Sequence, residues 1–277
     1  MLRSLYSGVS GMKGFQIKLD VISNNIANVN TVGFKKGRVM FQDALSQNLS
    51  GVTNPEDGVR GGRNARQIGL GVTIGAIDTL HTPGSPMTTG VPLDLAIEGD
   101  GFFVVSPTGN IEDAFLTRAG NFYLDALGQL VTAQGYFVLS ADQDIIVINR
   151  EEVAAFDISS TGQIIVQTPD GEIEEDFAQI GIAIVQNPAG LRKVGNNLYQ
   201  LTANADPNDL EELIVALGED DDLGANVRII SGQLEMSNVD LTEEFTEMII
   251  AQRGFQANSR IITTSDEILQ EVVNLKR

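Results

Sequence analysis

Residues 241–273 read LTEEFTEMIIAQRGFQANSRIITTSDEILQEVV, and this stretch sets the fold class. Leu241, Phe245, Met248, Phe255, Ile262, Leu269 and Val273 fall on a heptad frame, with Gln252, Ser259 and Asp266 in its gaps. That spacing predicts a long amphipathic helix with a narrow apolar seam, the pattern of coiled-coil packing. Asp240 is placed to cap its start, with Glu243 three residues on, as in a capping box. Glu243 and Glu244 meet the positive end of the helix dipole, and Lys276 and Arg277 the negative end. A helix over 241–277 would be about 55 Å long.

The opposite end of the chain repeats the pattern. Leu2, Leu5, Val9, Met12, Phe15, Leu19, Ile22, Ile26 and Val29 recur at steps of three and four, which predicts a second helix over 2–30. It carries Gly8, Gly11 and Gly14, each costing about 1 kcal/mol in a helix interior. Asn24, Asn25 and Asn28 favour turns and caps. This helix is therefore expected to order only when neighbouring subunits pack on it, with its glycines letting them approach closely, or else to dock on the chain's own body. Val32-Gly33-Phe34 stops it: Gly33 suits the left-handed position past a helix end, and Phe34 is expected to pack back on the last turn.

Between the two ends the chain reads as β. Residues 38–48 make a short amphipathic segment, and 50–66 are a Gly, Asn, Pro and Arg linker or surface loop. From Ile68 to Ile77 apolar residues alternate with Gly and Thr, which predicts one strand. Short strands then follow between turns: around Leu93–Ile97, Phe102–Val105, Phe115–Tyr123, Leu130–Val131, Tyr136–Leu139, Ile145–Ile148, Ile164–Gln167, Ile180–Val185, Leu198–Leu201 and Val227–Leu234. Their spacing predicts a sandwich or open barrel. The acidic stretch Asp206–Asp222 holds a short helix near Leu210–Leu217, or a surface loop. The expected class is α+β, with long N- and C-terminal helices pairing as a coiled-coil-like layer and a central all-β body.

At 277 residues the chain can bury a core in one or two domains. It has no apolar run of about 18 residues, so no transmembrane helix is expected. Gly8, Lys13 and Lys18 interrupt any signal-peptide core behind Arg3. Without cysteine there is no disulfide or thiol chemistry. These features fit a cytosolic protein, or one exported unfolded by a dedicated machine. The net charge of −19 is uneven. Residues 1–66 hold nine Lys/Arg against four Asp/Glu, a local +5; residues 67–277 hold nine against 33, a local −24. An acidic body argues against a nucleic-acid partner, because phosphates need a positive surface.

Residues that could carry chemistry are few. His81 is the only histidine, and with no cysteine beside it a zinc site is not expected. Glu98, Asp100, Glu112 and Asp113 lie near strand ends and could supply a carboxylate pair, although a turn already explains Asp100. Asp220-Asp221-Asp222-Leu223-Gly224 lacks the alternating ligands and the distal Glu of a calcium loop. Gly69-Leu70-Gly71 and Gly99-Asp100-Gly101 lack the strand–loop–helix context of a phosphate site. No catalytic residue, metal or cofactor is expected.

Longer motifs carry a family resemblance. Asn24-Asn25-Ile26-Ala27-Asn28-Val29-Asn30-Thr31-Val32-Gly33-Phe34-Lys35 resembles the N-terminal signature of bacterial flagellar rod and hook proteins. Ser237–Leu241 and Met248–Ser259 resemble that family's C-terminal segment, and Leu93–Phe103 and Thr117–Phe122 its body. Within the family Ile268–Arg277 resembles the ending of hook members, while the length also suits the distal rod. The resemblance implies a structural subunit that self-assembles into the tubular hook, with the distal rod as the alternative. It implies a discontinuous helical inner domain (1–30 and 240–277), a linker region for contacts between subunits (31–75) and a β-rich outer domain (76–239). Expected partners are further copies of the chain, neighbouring axial proteins (distal rod, hook–filament junction, hook cap) and the flagellar type III export apparatus, without membrane insertion. Leu5, Val9, Met12, Leu19, Ile22, Ile26, Gly33, Phe34, Leu241, Phe245, Met248, Phe255, Ile262 and Leu269 are the expected subunit-interface residues. A seam left unburied within one chain is buried between chains, and heterologous contacts that do not close build a filament. Two other classes remain open to the residues alone: a monomeric binding protein with a helical stalk, and a cell-wall glycan hydrolase.

Overall fold

The computed structural model describes residues 2–53, 55, 61–148, 153, 155–168, 173–217 and 227–275. Its helices are α1 (Leu2–Ala27), the single turn α2 (Leu210–Leu213) and α3 (Leu241–Asn274). The Asp240 carboxylate accepts the N–H groups of Thr242 and Glu243 at 2.7 and 3.4 Å, which starts α3 where its capping sequence places it. α1 stops at Ala27, short of the expected Asn30.

One compact unit holds Met1–Ala27, Gly37–Thr79 and Asp240–Arg277. Within it α1 and α3 are antiparallel. Gly8 lies beside Ile262, Gly11 beside Asn258, Phe15 against Gly254, and Lys18 is ion-paired with Glu247. A methyl group on Gly11 would sit 2.9 Å from the Asn258 amide, and one on Gly254 2.5 Å from the Phe15 ring. The glycines of α1 are therefore filled by the chain's own side chains, Phe41 included, and not left for neighbouring subunits as expected.

The segment read as amphipathic over 38–48 holds two strands and the single strand read over 68–77 is also two, while in the linker between them the described residues form only the isolated bridge Thr53–Arg63. β1 (Gly37–Asp43) pairs with β4 (Val72–Thr79), and β2 (Ser46–Ser50) with β3 (Arg66–Gly69), all antiparallel. The predicted strand over 68–77 breaks at Leu70–Gly71, where Gly71 has φ +125°. The break follows from pairing, since the two halves have different partner strands. Asn25 positions this layer on α1: its side chain donates to the Gly37 carbonyl at 2.9 Å and accepts the Gly37 N–H at 3.0 Å. Phe41 stacks on Phe15 with ring centroids 5.7 Å apart.

The second unit holds Asn28–Lys36 and Leu80–Val239. Its strands are β5 (Pro86–Thr88), β6 (Leu95–Glu98), β7 (Phe102–Ser106), β8 (Phe115–Thr117), β9 (Phe122–Leu124), β10 (Leu130–Thr132), β11 (Phe137–Val138), β12 (Ala155–Ile158), β13 (Gln163–Gln167), β14 (Ile173–Gln179), β15 (Ile182–Ala183), β16 (Arg192–Gly195), β17 (Leu198–Gln200), β18 (Ile214–Val215), β19 (Arg228–Ser231) and β20 (Gln233–Glu235). The main sheet runs β16-β17-β8-β7-β11-β10-β9, with β15 joining β7 to β18. β12-β13-β14 form a second sheet, and β19 and β20 pair with β6 and β5.

β7 is buried on both faces and so feeds two cores. Phe103 and Val105 join Leu95, Leu130, Ile164 and Ile182; Phe102 and Val104 join Leu116, Leu139 and Tyr199. Period-2 alternation sends neighbouring side chains to opposite faces, and each such burial is worth about 1.5–3 kcal/mol. The strand expected over 227–234 is two strands, turned at Gly232 with φ +75°. Around 145–148 only isolated bridges form, at Ile145 and Val147. In the acidic stretch the helix lasts one turn, and residues 218–226, with the 220–224 motif, lie outside the described residues.

Candidate functional site

The face of α3 toward α1 holds Glu244, Glu247, Gly254, Asn258 and Ile262; Ala251 and Ser265 are buried as well, and Glu244, Ala251, Asn258 and Ser265 are spaced by sevens. The latter four are small or hydrogen-bonding residues: Glu244 accepts from the buried Asn25 amide at 3.1 Å. Met248 and Leu269 flank this face, half-buried like Ile262. Leu241, Phe245 and Phe255 stay exposed at 40, 50 and 36 %, as do Ile249, Ile250, Ile261, Ile268 and Val272. On α1, Ile22 is buried, Leu5, Met12, Leu19 and Ile26 are half-buried, and Val9 is exposed. The apolar arc of α3 is wider than one antiparallel helix covers. An uncovered apolar helix flank of this length is a candidate assembly surface.

Gly33 and Phe34 fall in the other unit, where the segment after α1 is bound into the β body. Gly33 has φ +67°, and a Cβ there would lie 2.7 Å from the Ala119 nitrogen. Its N–H donates to the Glu235 carbonyl at 2.8 Å, and the Asn197 amide donates to the Val32 carbonyl at 2.8 Å. The buried Phe34 ring lies 4.1 Å from the Lys193 ammonium.

The next residue, Lys35, is wholly buried. Its ammonium donates to Glu235 Oε1 at 2.6 Å and to the Thr82 carbonyl at 2.8 Å. The same Oε1 accepts the Gly84 N–H at 2.9 Å. Glu235 Oε2 faces Arg118 at 3.3 Å, and Arg118 also donates to the Gly99 carbonyl at 2.7 Å and lies over the Phe102 ring. Two buried cations thus share one buried carboxylate. Burial lowers the pKa of both Lys35 and Arg118, while Glu235 pushes each back up. Asn238 closes the junction: it accepts the Lys36 N–H and donates to the Leu80 carbonyl, both at 2.8 Å.

His81 borders this cluster, edge-on to Phe102 and Tyr199. Burial first, then Lys35 and Arg118, lowers its pKa from 6.5 to about 4. Burial also raises the Tyr199 phenol to about 12. Because the unfolded chain protonates His81 before the folded one does, His81 contributes full stability above about pH 6.5 and loses it as the pH falls toward 4. Replacing His81 by Phe is therefore expected to flatten the loss of stability across that window by about 1–3 kcal/mol. Thermal midpoints of both proteins across the window check this, and parallel curves would refute it.

Lys35 and Arg118 fall within the family motifs 24–35 and 117–122, and Glu235 lies just ahead of the motif that starts at Ser237. A signal was present at Glu235 alone, which sits between the apolar Leu234 and Met236, where burial demands a partner; Lys35 is followed by Lys36 and Arg118 preceded by Thr117. Of the carboxylates considered for catalysis, Glu112 and Asp113 lie in the 3-10 turn Ile111–Asp113, and Asp100 in the turn between β6 and β7.

Comparison with known proteins identifies the family. Residues 5–35 match the family described as flagella basal body rod protein, 96–166 the flagellar hook protein FlgE/F/G D1 domain, and 230–275 the flagellar basal body rod FlgEFG protein C-terminal. The flagellar basal-body rod protein FlgG of Bacillus subtilis is 53 % identical over 277 residues, covering all of both chains. That of Borreliella burgdorferi is 37 % identical over 280, again end to end. The flagellar hook protein FlgE of Borreliella burgdorferi is 29 % identical in an alignment of 454 positions that spans both chains. The chain belongs to the flagellar rod and hook family. It is a structural protein of the bacterial flagellum and of motility, and none of its described helices is long and apolar enough to cross a membrane.

Proposed function

We propose that the chain is a rod subunit of the flagellar basal body, in the distal rod, and that it self-assembles into an open helical tube. The observation that carries rod over hook is the collinear match: rod relatives align over 277 and 280 residues, whereas the hook relative needs 454 positions. The hook reading taken from the ending at Ile268–Arg277 gives way to this. The uncovered flank of α3, with Leu241, Phe245 and Phe255, and the exposed Val9 of α1 are the surfaces that meet further copies, whereas Ile22, Gly33 and Phe34 are buried within the chain. The role is structural, without catalysis. Neighbours along the axis are the hook and the other rod proteins, reached through the type III export apparatus.

The test is genetic and visual. A strain lacking its rod gene should regain motility and rods when given this chain, and the tagged chain should localise to basal bodies. Straight polymers of the purified chain are expected in electron micrographs. Curved, hook-like polymers, or rescue of a hook mutant and not of a rod mutant, would overturn the reading.

A further inference from the structure

We propose that Glu235 is a latch that lets the two junction segments, Asn28–Lys36 and Leu234–Val239, dock on the β body only together. Its carboxylate gathers contacts from three separate places in the chain: Lys35 after α1, Gly84 before β5, and Arg118 after β8. The backbone follows the same plan. Gly33 donates to the Glu235 carbonyl, Met236 donates to the Ser85 carbonyl, and Leu80 donates to the Lys36 carbonyl at 2.9 Å. Neither junction segment has a complete set of partners without the other.

The charges make the dependence one of all or nothing. With Glu235 absent, Lys35 and Arg118 are two buried cations with no carboxylate between them, and the N-terminal segment is driven off the body. With Lys35 absent, Glu235 keeps Arg118 but loses the shortest of its contacts. Breaking a buried pair from one side leaves an uncompensated charge, which is why such a pair works as a lock. For a subunit whose ends make its assembly contacts, as proposed above, the latch checks that a chain is complete before those ends are positioned.

Amide hydrogen exchange on the full-length chain tests this, because it reads each junction separately. Glu235→Gln is expected to speed exchange at the Gly33 and Lys36 N–H groups by about 100-fold, although the substitution is in the other segment. Lys35→Met is expected to speed exchange at Gly84, Met236 and Asn238, while the amides of β7 and β8 keep their protection. The double variant Lys35→Met/Glu235→Gln should exchange more slowly at both junctions than Glu235→Gln alone, because it removes the repulsion. Should Glu235→Gln fail to fold, Lys35→Met, which keeps the Arg118–Glu235 pair, carries the test, and recovery of folding in the double variant supports the latch. Faster exchange confined to the substituted segment would overturn the proposal. So would a double variant worse than either single one.

Discussion

Alanine at Gly120 is expected to lower the stability of the β body by about 3–5 kcal/mol, moving its thermal midpoint down by about 10 °C. Gly120 crosses directly over β6. Its carbonyl accepts the Leu95 N–H at 3.0 Å, and Leu95 is completely buried. A methyl group on Gly120 would overlap the Leu95 carbonyl oxygen, lie 2.8 Å from the carbonyl carbon, and reach the Phe103 ring at 3.2 Å. The obstacle is backbone, so no side-chain rotation relieves it. Either β6 shifts and breaks its register with β19, or the turn holding Arg118 and Gly120 does. Gly69→Ala is the control: nothing lies within 4 Å of a Cβ there, and a change within about 0.5 kcal/mol is expected. Denaturant unfolding of both variants decides the matter, and a Gly120→Ala protein as stable as the parent would show that the approach of the two segments is looser than drawn.

Phe255→Asp is expected to abolish assembly and motility while costing the isolated chain only about 1 kcal/mol. Phe255 is 36 % exposed on α3, beside the uncovered flank. In an assembly its ring would be covered fully, and a carboxylate in its place would be desolvated at a cost of several kcal/mol. The defect recurs at every subunit, so a modest loss per contact suffices to stop growth. Gln256→Asp, one residue round the helix and exposed, should have a milder effect. Swimming assays paired with thermal melts of the purified chains separate the possibilities. Normal motility would remove Phe255 from the interface, and a large drop in midpoint would show that its ring is needed within the chain.

The terminal helices, the Asp240 cap and most of the strands were legible because each rests on a local rule. Periodicity of three and four places α1 and α3, the Asp240 N-cap starts α3, and short apolar runs between glycine turns mark β6, β7, β10 and β13. Boundaries that depend on a partner were not legible. Gly71 and Gly232 interrupt what read as single strands, because the halves on either side pair with different neighbours.

The face of α3 that meets α1 was only partly legible from hydrophobicity, since of the apolar heptad Ile262 lies against Gly8. The other members of that face, Glu244, Glu247, Gly254 and Asn258, are small or polar residues where Gly8 and Gly11 bring the helices close. Of the apolar heptad, Met248, Ile262 and Leu269 are half-buried, while Leu241, Phe245, Phe255 and Val273 stay exposed on the flank. The expected linker region over 31–75 likewise holds Gly33, Phe34 and Lys35, which belong to the same compact unit as Leu80–Val239.

Local periodicity and capping chemistry, present in the residues alone, determined that this chain has two long terminal helices around a β body, and its motifs pointed to the family. Tertiary structure alone decided which helix faces meet and that Lys35, Arg118 and Glu235 share one buried site. The reason is physical: helix and strand formation is governed by neighbours a few residues apart, whereas Lys35 and Glu235 are separated by 200 residues, and their pairing exists only once the chain has folded between them.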